Sequence, residues 1–297
     1  LLRTILLWVY GHWYPAVVFS PKSIREFLAY SSHLIGTGVL NAVYNNIYPM
    51  LIGKGYSTAS VGFYTQAHRF QEIPSSLVAT IFRSVAFPVL STINDEPERM
   101  IRIFGKYIRT ISFFIFPVMV LFIVIAEPLV LVLLSEKWAA AIPFLQRLCI
   151  AGAFSPFIIL YYDLFNTIGR SDINLKTEIV KKILLTVGIF FCFGKGIIAL
   201  IWLWVAYTLA SLAASMWLGQ HFTSYRATRF VRDIIPCLLL SVFAGIIAWG
   251  VFLSCTSLLG RLIAPLLVFT AVYLLGTYTA RVEIWKEFFK WKTERNK

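Results

Sequence analysis

Ile111-Ser112-Phe113-Phe114-Ile115-Phe116-Pro117-Val118-Met119-Val120-Leu121-Phe122-Ile123-Val124-Ile125-Ala126 carries no charge and sits inside an apolar stretch covering 107–134. A helix that crosses a bilayer needs about 20 predominantly apolar residues, and this stretch supplies them. Working outward, comparable runs occur at 27–53, 58–91, 138–168, 178–193, 196–221, 233–255 and 261–282. The pattern predicts an all-α, polytopic transmembrane helix bundle with eight full crossings. The opening run Leu1–Tyr10 is too short to cross and lacks a basic leader region and a small-residue cleavage site; it reads as the tail of one further helix. Turn-forming sequences fall between the runs, at Gly53-Lys54-Gly55, Glu136-Lys137, Gly169-Arg170-Ser171-Asp172, Gly194-Lys195-Gly196 and Gly260.

Composition supports the same class. Of 297 residues, 59% are hydrophobic and 14% charged, and the mean hydropathy is +0.76. Soluble domains carry about 45–50% apolar and about 25% charged residues, so a soluble fold is excluded. Cys149, Cys192, Cys237 and Cys255 sit in apolar runs without C-x-x-C or zinc spacing, and read as small buried hydrophobes.

The formal net charge of +13 would suggest nucleic acid in a polar protein. Here its distribution speaks for topology. Alternate connecting segments, from Lys22 and Arg25 through Arg170, Lys176, Lys181 and Lys182 to the C-terminal tail, hold 19 basic residues. The intervening connections hold Lys54, Lys137, Lys195 and Arg261, one each. Lys and Arg in short loops resist translocation, which places the richer set and the C-terminus in the cytoplasm. The connections are short, the longest running over about 92–106, and none accommodates a soluble domain.

An ionisable group inside a bilayer costs about 2.5–3.5 kcal/mol on insertion scales, so each one inside a predicted span requires a reason. Arg69 lies near the middle of its run, after His68, with Glu72 at i+3 as the expected partner and Pro74 beyond. A guanidinium beside a kink and facing an aqueous cavity suits a phosphate-bearing substrate through paired, charge-assisted hydrogen bonds. Arg147 follows Pro143 by four residues and is a second candidate. Asn41 and Asn45 share a helix face and can line a polar cavity or bond between helices. The candidate substrate-binding residues are therefore Arg69, Arg147, His68, Glu72, Asn41 and Asn45. Arg83 and Asp163 are expected to reach interfacial water near one end of their spans, and Glu127 near the other. No catalytic, metal-binding or cofactor-binding motif is present, so the sequence reads as a transporter and not an enzyme.

Asn45-Asn46-Ile47-Tyr48-Pro49-Met50-Leu51-Ile52-Gly53-Lys54, followed by Val61-Gly62-Phe63-Tyr64-Thr65-Gln66-Ala67-His68-Arg69-Phe70-Gln71-Glu72-Ile73-Pro74 and Val85-Ala86-Phe87-Pro88-Val89-Leu90-Ser91, resembles the seventh and eighth helices of bacterial oligosaccharide flippases. These are the lipopolysaccharide and polysaccharide exporters of the multidrug/oligosaccharidyl-lipid/polysaccharide superfamily. Ala126-Glu127-Pro128-Leu129-Val130, Glu136-Lys137-Trp138 and Gly169-Arg170-Ser171-Asp172 extend the resemblance across most of residues 10–220.

The resemblance implies a two-bundle, fourteen-helix transporter. In that frame, residues 1–24 are the end of the sixth helix and a linker, 25–221 the core of the second bundle, and 222–297 the last two helices and a basic tail. It implies translocation of a polyprenyl-diphosphate-linked oligosaccharide across the inner membrane by alternating access, with the diphosphate meeting a basic residue in the position of Arg69. Lipid-linked oligosaccharide and membrane lipids are the implied partners, and polysaccharide polymerase machinery a further one. Two other readings stay open. One is a cation-coupled multidrug exporter of the same superfamily, which would favour a buried acid. The other is a membrane glycan polymerase or ligase, which would need a large external loop.

Overall fold

The computed structural model describes residues 11, 20–93, 96–223, 225–280, 282 and 285. Most of the segment 1–24 and the basic tail from Lys286 lie outside the described residues. Among the described residues every regular element is a helix. In chain order these are α1 (Pro21–Gly55), α2 (Thr58–Thr92), α3 (Pro97–Val124), α4 (Ala126–Leu134), α5 (Ile142–Thr167), α6 (Ser171–Cys192), α7 (Ile197–Phe222), α8 (Ala227–Ser254) and α9 (Leu258–Thr279). Short 3₁₀ turns, Glu136–Ala141 and Phe193–Lys195, precede α5 and α7.

Local chemistry sets the boundaries. Ser57 and Ser257 cap α2 and α9, their hydroxyls accepting from the Ser60 and Gly260 amides at 3.1 Å, which satisfies one of the orphan donors of a helix start. Gly169 and Gly196 have φ of +73° and +96°, a region that only glycine enters freely, and each stands just before the next helix. Gly169 and Gly196 therefore mark real breaks, whereas Gly53-Lys54-Gly55 forms the last residues of α1 and Gly260 lies in the first turn of α9.

The stretch 107–134 is a different matter. It was expected to be one crossing, but the chain breaks at Ile125 into α3 and α4. Pro128 explains the break: continuing the helix would set its ring against the carbonyl of Val124, four residues earlier. Starting a new helix at Ala126 leaves Pro128 in the first turn, where its missing N–H is not needed. At the other end α3 begins at Pro97, so most of the connection expected over 92–106 is helix.

Among the described residues, six stretches are long and apolar enough to cross a membrane: 58–92, 98–124, 136–167, 197–222, 227–254 and 258–279. α1 and α6, also read as crossings from sequence, fall below that standard of apolarity. They pack against each other. At the centre lies α5, whose Leu145, Leu148, Phe157, Tyr161 and Phe165 are fully buried. It is flanked by α2, α3 and α7. α8 and α9 pair with one another, and α8 lies along α3, where Val124, Ala244, Ala248, Phe269 and Tyr273 form a separate apolar cluster.

The outer surface is apolar as well. Leu239, Ile246 and Leu253 on α8 and Leu267 and Leu275 on α9 are each more than 60% exposed. Such faces would aggregate in water and are stable against lipid. Cys149 and Cys237 are buried, Cys192 and Cys255 half-buried, and all four are free thiols.

Candidate functional site

A cluster of buried charges lies on α6. Lys181 and Lys182 are the eleventh and twelfth of its 22 residues, about 15 Å of helix from either end at 1.5 Å per residue. Glu178 precedes them by three and four positions, a spacing that puts all three on one face. Its carboxylate lies 2.5 Å from the Lys181 ammonium and 3.6 Å from that of Lys182, and the three side chains are 3%, 8% and 5% exposed. Neighbouring helices complete the cluster. Tyr162 of α5 donates to Glu178 and accepts from Lys181. Tyr44 of α1 and Tyr207 of α7 both present their ring faces to the Lys182 ammonium, 5.2 Å from each centroid. Buried ions are retained only when paired and hydrogen-bonded, and ring faces add to a cation's stabilisation. Even so, one carboxylate serves two ammonium groups.

This cluster forms one wall of a cavity of about 290 Å³ between α1, α2, α5, α6 and α7. Along α2 the lining is polar: His68, Gln71, Glu72, Ser75 and Ser76. α1 contributes Asn41 and Asn45, α5 Ser155 and Tyr162, and α7 Trp204, Tyr207, Thr208 and Ser211. Glu72 accepts from His68, one turn earlier, with the paired atoms 3.4 Å apart. The His68 ring lies between those of Tyr64 and Trp204, 5.8 and 6.3 Å away. The cavity is therefore polarised, with a carboxylate–imidazole pair on α2 and surplus positive charge on α6.

The close crossing of α2 on α5 brings these walls together. Gln71 passes so near Gly152 that a Cβ there would stand 2.4 Å from its amide nitrogen. Ser75 donates to the Gly152 carbonyl at 3.0 Å and accepts from Gln71 at 2.9 Å. Small residues at a crossing and polar side chains bonding across it are the usual means by which membrane helices associate.

His68, Glu72, Asn41 and Asn45, singled out from sequence, share this cavity. Arg69 and Arg147 are not among its lining residues. Arg69 lies on the exposed face of α2, and the expected Arg69–Glu72 pair is replaced by His68–Glu72. One residue turns a helix by about 100°, and it is His68, not Arg69, that points inward with Glu72. Arg147 stands in the second turn of α5, half-buried, donating to the Pro143 carbonyl at 2.6 Å. Arg83 and Asp163 do not simply reach solvent: they approach to 3.1 Å, with the carboxylate 2% exposed, and so tie α2 to α5. Glu127 of α4 similarly meets Arg261 of α9 at 3.7 Å.

The sequence reading missed Lys181, Lys182 and Glu178. The expected span began at Glu178, so the lysines joined the loop count, and moving them inside leaves 17 basic residues in the richer set. An acid followed by bases at i+3 and i+4 within a helical run was the available signal.

Fold and cavity together define the class: a multi-pass helical membrane protein enclosing a charged, polar chamber. Residues 1–143 match the family described as "Polysaccharide biosynthesis protein". The teichuronic acid biosynthesis protein TuaB of Bacillus subtilis (strain 168) is 24% identical over 255 residues, 85% of this chain and 53% of that protein. The lipopolysaccharide biosynthesis protein WzxC of Escherichia coli (strain K12) is 25% identical over 185 residues, 62% of this chain and 38% of its own length. Among solved structures, the lipid II flippase MurJ in an inward closed conformation superposes with a TM-score of 0.72 at 17% identity, covering 91% of this chain and 57% of that one. These likenesses bear out the resemblance to bacterial polysaccharide and lipopolysaccharide biosynthesis proteins and the all-helical membrane fold. The chain spans about half the length of the curated relatives it matches.

Proposed function

We propose that this chain is the second helical bundle of a flippase that moves a polyprenyl-diphosphate-linked oligosaccharide from the inner to the outer leaflet of the bacterial cytoplasmic membrane by alternating access. The observation that carries the proposal is the pair of buried lysines with one carboxylate between them. A diphosphate supplies the missing negative charge, and donors already fixed in a low-dielectric chamber bind it without further reorganisation. The polar wall from Asn41 to His68, Gln71 and Glu72 offers donors and acceptors to sugar hydroxyls. Translocation makes and breaks no covalent bond, so the residues act by binding and orientation. The C-terminus faces the cytoplasm on the basic-residue count, and a polysaccharide polymerase is the natural recipient of the product.

Arg69 keeps a place in this reading. On the exposed face of α2 it can meet the diphosphate from outside the intrabundle cavity. The cation-coupled drug exporter is disfavoured, because the buried carboxylates already have protein cations: Glu178 has Lys181 and Lys182, and Asp163 has Arg83.

The test uses the full-length protein in proteoliposomes loaded with a lipid-linked oligosaccharide on one leaflet. Lys182→Gln should slow its appearance on the other leaflet about tenfold, which corresponds to 1.4 kcal/mol, at unchanged protein level. Arg69→Glu should do the same if Arg69 meets the diphosphate; export at the wild-type rate removes Arg69 from the site. Wild-type protein that moves a cationic dye but no lipid-linked oligosaccharide overturns the proposal.

A further inference from the structure

A second hollow, of about 510 Å³, lies between α6 and α7. Thr177, Val180, Leu184 and Leu185 form one wall, and Leu203, Ala206, Ala210, Ala214 and Trp217 the other. The alanines recur every four residues, so one side of α7 is cut back into a continuous channel. From Leu203 to Leu218 it follows α7 for about 22 Å at 1.5 Å per residue. Val180, Leu184 and Trp217, at 57%, 64% and 62% exposure, stand along its open edge. It is therefore a long slot on the outside of the bundle and not an internal void.

Its position gives it meaning. Lys181, Tyr207 and Ser211 line both the slot and the polar cavity, so the two meet at the surplus positive charge. The slot itself is lined by Lys176 and Lys181 and by no acid. An apolar channel that meets Lys181 partway along its length, with Lys182 in the adjoining cavity, is complementary to one kind of molecule: an amphiphile with a hydrocarbon chain and an anionic head. Its mostly apolar walls offer sugar hydroxyls few partners.

Building on the flippase reading, we infer that the α6–α7 slot seats the first isoprene units of the substrate's polyprenyl chain, with the diphosphate at Lys181 and Lys182 and the sugars in the cavity beyond. The chain, the phosphates and the glycan are then read in order by three adjoining surfaces. Lys181 stands at the junction of the first two.

The experiment uses full-length protein in phosphatidylcholine vesicles and two probes, a long-chain polyprenyl diphosphate and a water-soluble short-chain analogue. Ala210→Trp fills the slot. It should weaken binding of the long-chain probe at least tenfold and leave the short-chain probe unchanged, whereas Lys181→Gln should weaken both. Equal effects of Ala210→Trp on both probes, or none on either, overturn the inference while leaving the flippase reading intact. Failure of wild-type protein to bind either probe overturns both. Photocrosslinking does not depend on the variant folding. A diazirine on one of the first isoprene units after the diphosphate should label Val180, Leu184, Ala210 or Ala214 in wild-type protein, in competition with unlabelled polyprenyl diphosphate. Labelling elsewhere, or labelling of the slot by a diazirine phospholipid to the same extent, sinks the assignment.

Discussion

Two carboxylates in this bundle, Glu178 buried and Asp233 half-buried, each meet basic side chains and a tyrosine, yet they are built as opposites. Asp233, near the start of α8, lies 3.0 Å from the Arg109 guanidinium of α3 and accepts from the Tyr225 hydroxyl at 2.6 Å. Gly105 lets the helices close on this pair, since a Cβ there would stand 3.2 Å from Asp233. Neither Asp233 nor Arg109 lines the polar cavity or the slot. Glu178 has the same ingredients, but two ammonium groups share it and its surroundings open into a chamber. A carboxylate matched to a guanidinium at a closed helix crossing clamps two helices. A carboxylate outnumbered beside a cavity leaves positive charge available to a ligand.

The difference can be broken most forcefully at Glu178. Glu178→Gln leaves both ammonium groups buried without a counter-ion, and removing one partner of a buried pair costs about 3–5 kcal/mol. Unfolding of the purified full-length protein in detergent should show a loss of that size. The triple change Glu178→Leu, Lys181→Met and Lys182→Met should restore most of the stability, because well-packed apolar groups replace buried ions at little cost, yet should not restore transport. Recovery of both would mean that the α6 cluster is only a clamp, like that at Asp233.

Asp233→Asn probes the other member. Arg109 is 22% exposed and keeps some access to water, so the loss should be nearer the 1.5–3 kcal/mol of a charged hydrogen bond. The rate of transport per folded molecule should stay at the wild-type value. A transport defect at normal protein level would show that the α3–α8 contact moves during the cycle and is no passive clamp.

Much of this architecture is legible in the sequence because bilayer thickness leaves few choices for an apolar run. Glycines at positive φ, such as Gly169 and Gly196, mark breaks for a steric reason that requires no tertiary information. Pro128 carried the same kind of information about the α3–α4 break, but the apolar run on either side of it masked the signal. The site was harder to read. At i+3 and i+4 a helix presents two residues to roughly one face, so the sequence alone could not choose between Arg69 and His68 as the partner of Glu72. The choice is made by α7, which brings Trp204 against His68. The crossing at Gly152 depends on a contact between residues 77 apart in the chain, which no local pattern encodes. Lys181 and Lys182 were hidden for another reason: a basic residue at the edge of an apolar window looks like loop until its neighbours bury it.

A third carboxylate separates the effect of number from that of burial. Asp172, in the first turn of α6, lies 3.0 Å from Arg170 and 3.1 Å from Lys176. It thus has two cations, as Glu178 does, but in contact with water. The Arg170 hydrogen bond, followed by that from Lys176, holds its carboxyl down to about 2. A depressed folded-state value means that the contribution is complete above the unfolded value of about 3.9 and is lost as pH falls through about 2. Asp172→Asn should therefore lower stability by less than about 1 kcal/mol, the range of exposed ion pairs. That gap should stay constant from pH 7 to pH 5, shrink as pH falls below 4, and diminish in high salt. The Glu178→Gln deficit, shielded inside the bundle, should be insensitive to salt. If added salt erases both deficits alike, the α6 lysines are in contact with bulk water, and the contrast between a matched clamp and an outnumbered, sheltered carboxylate collapses.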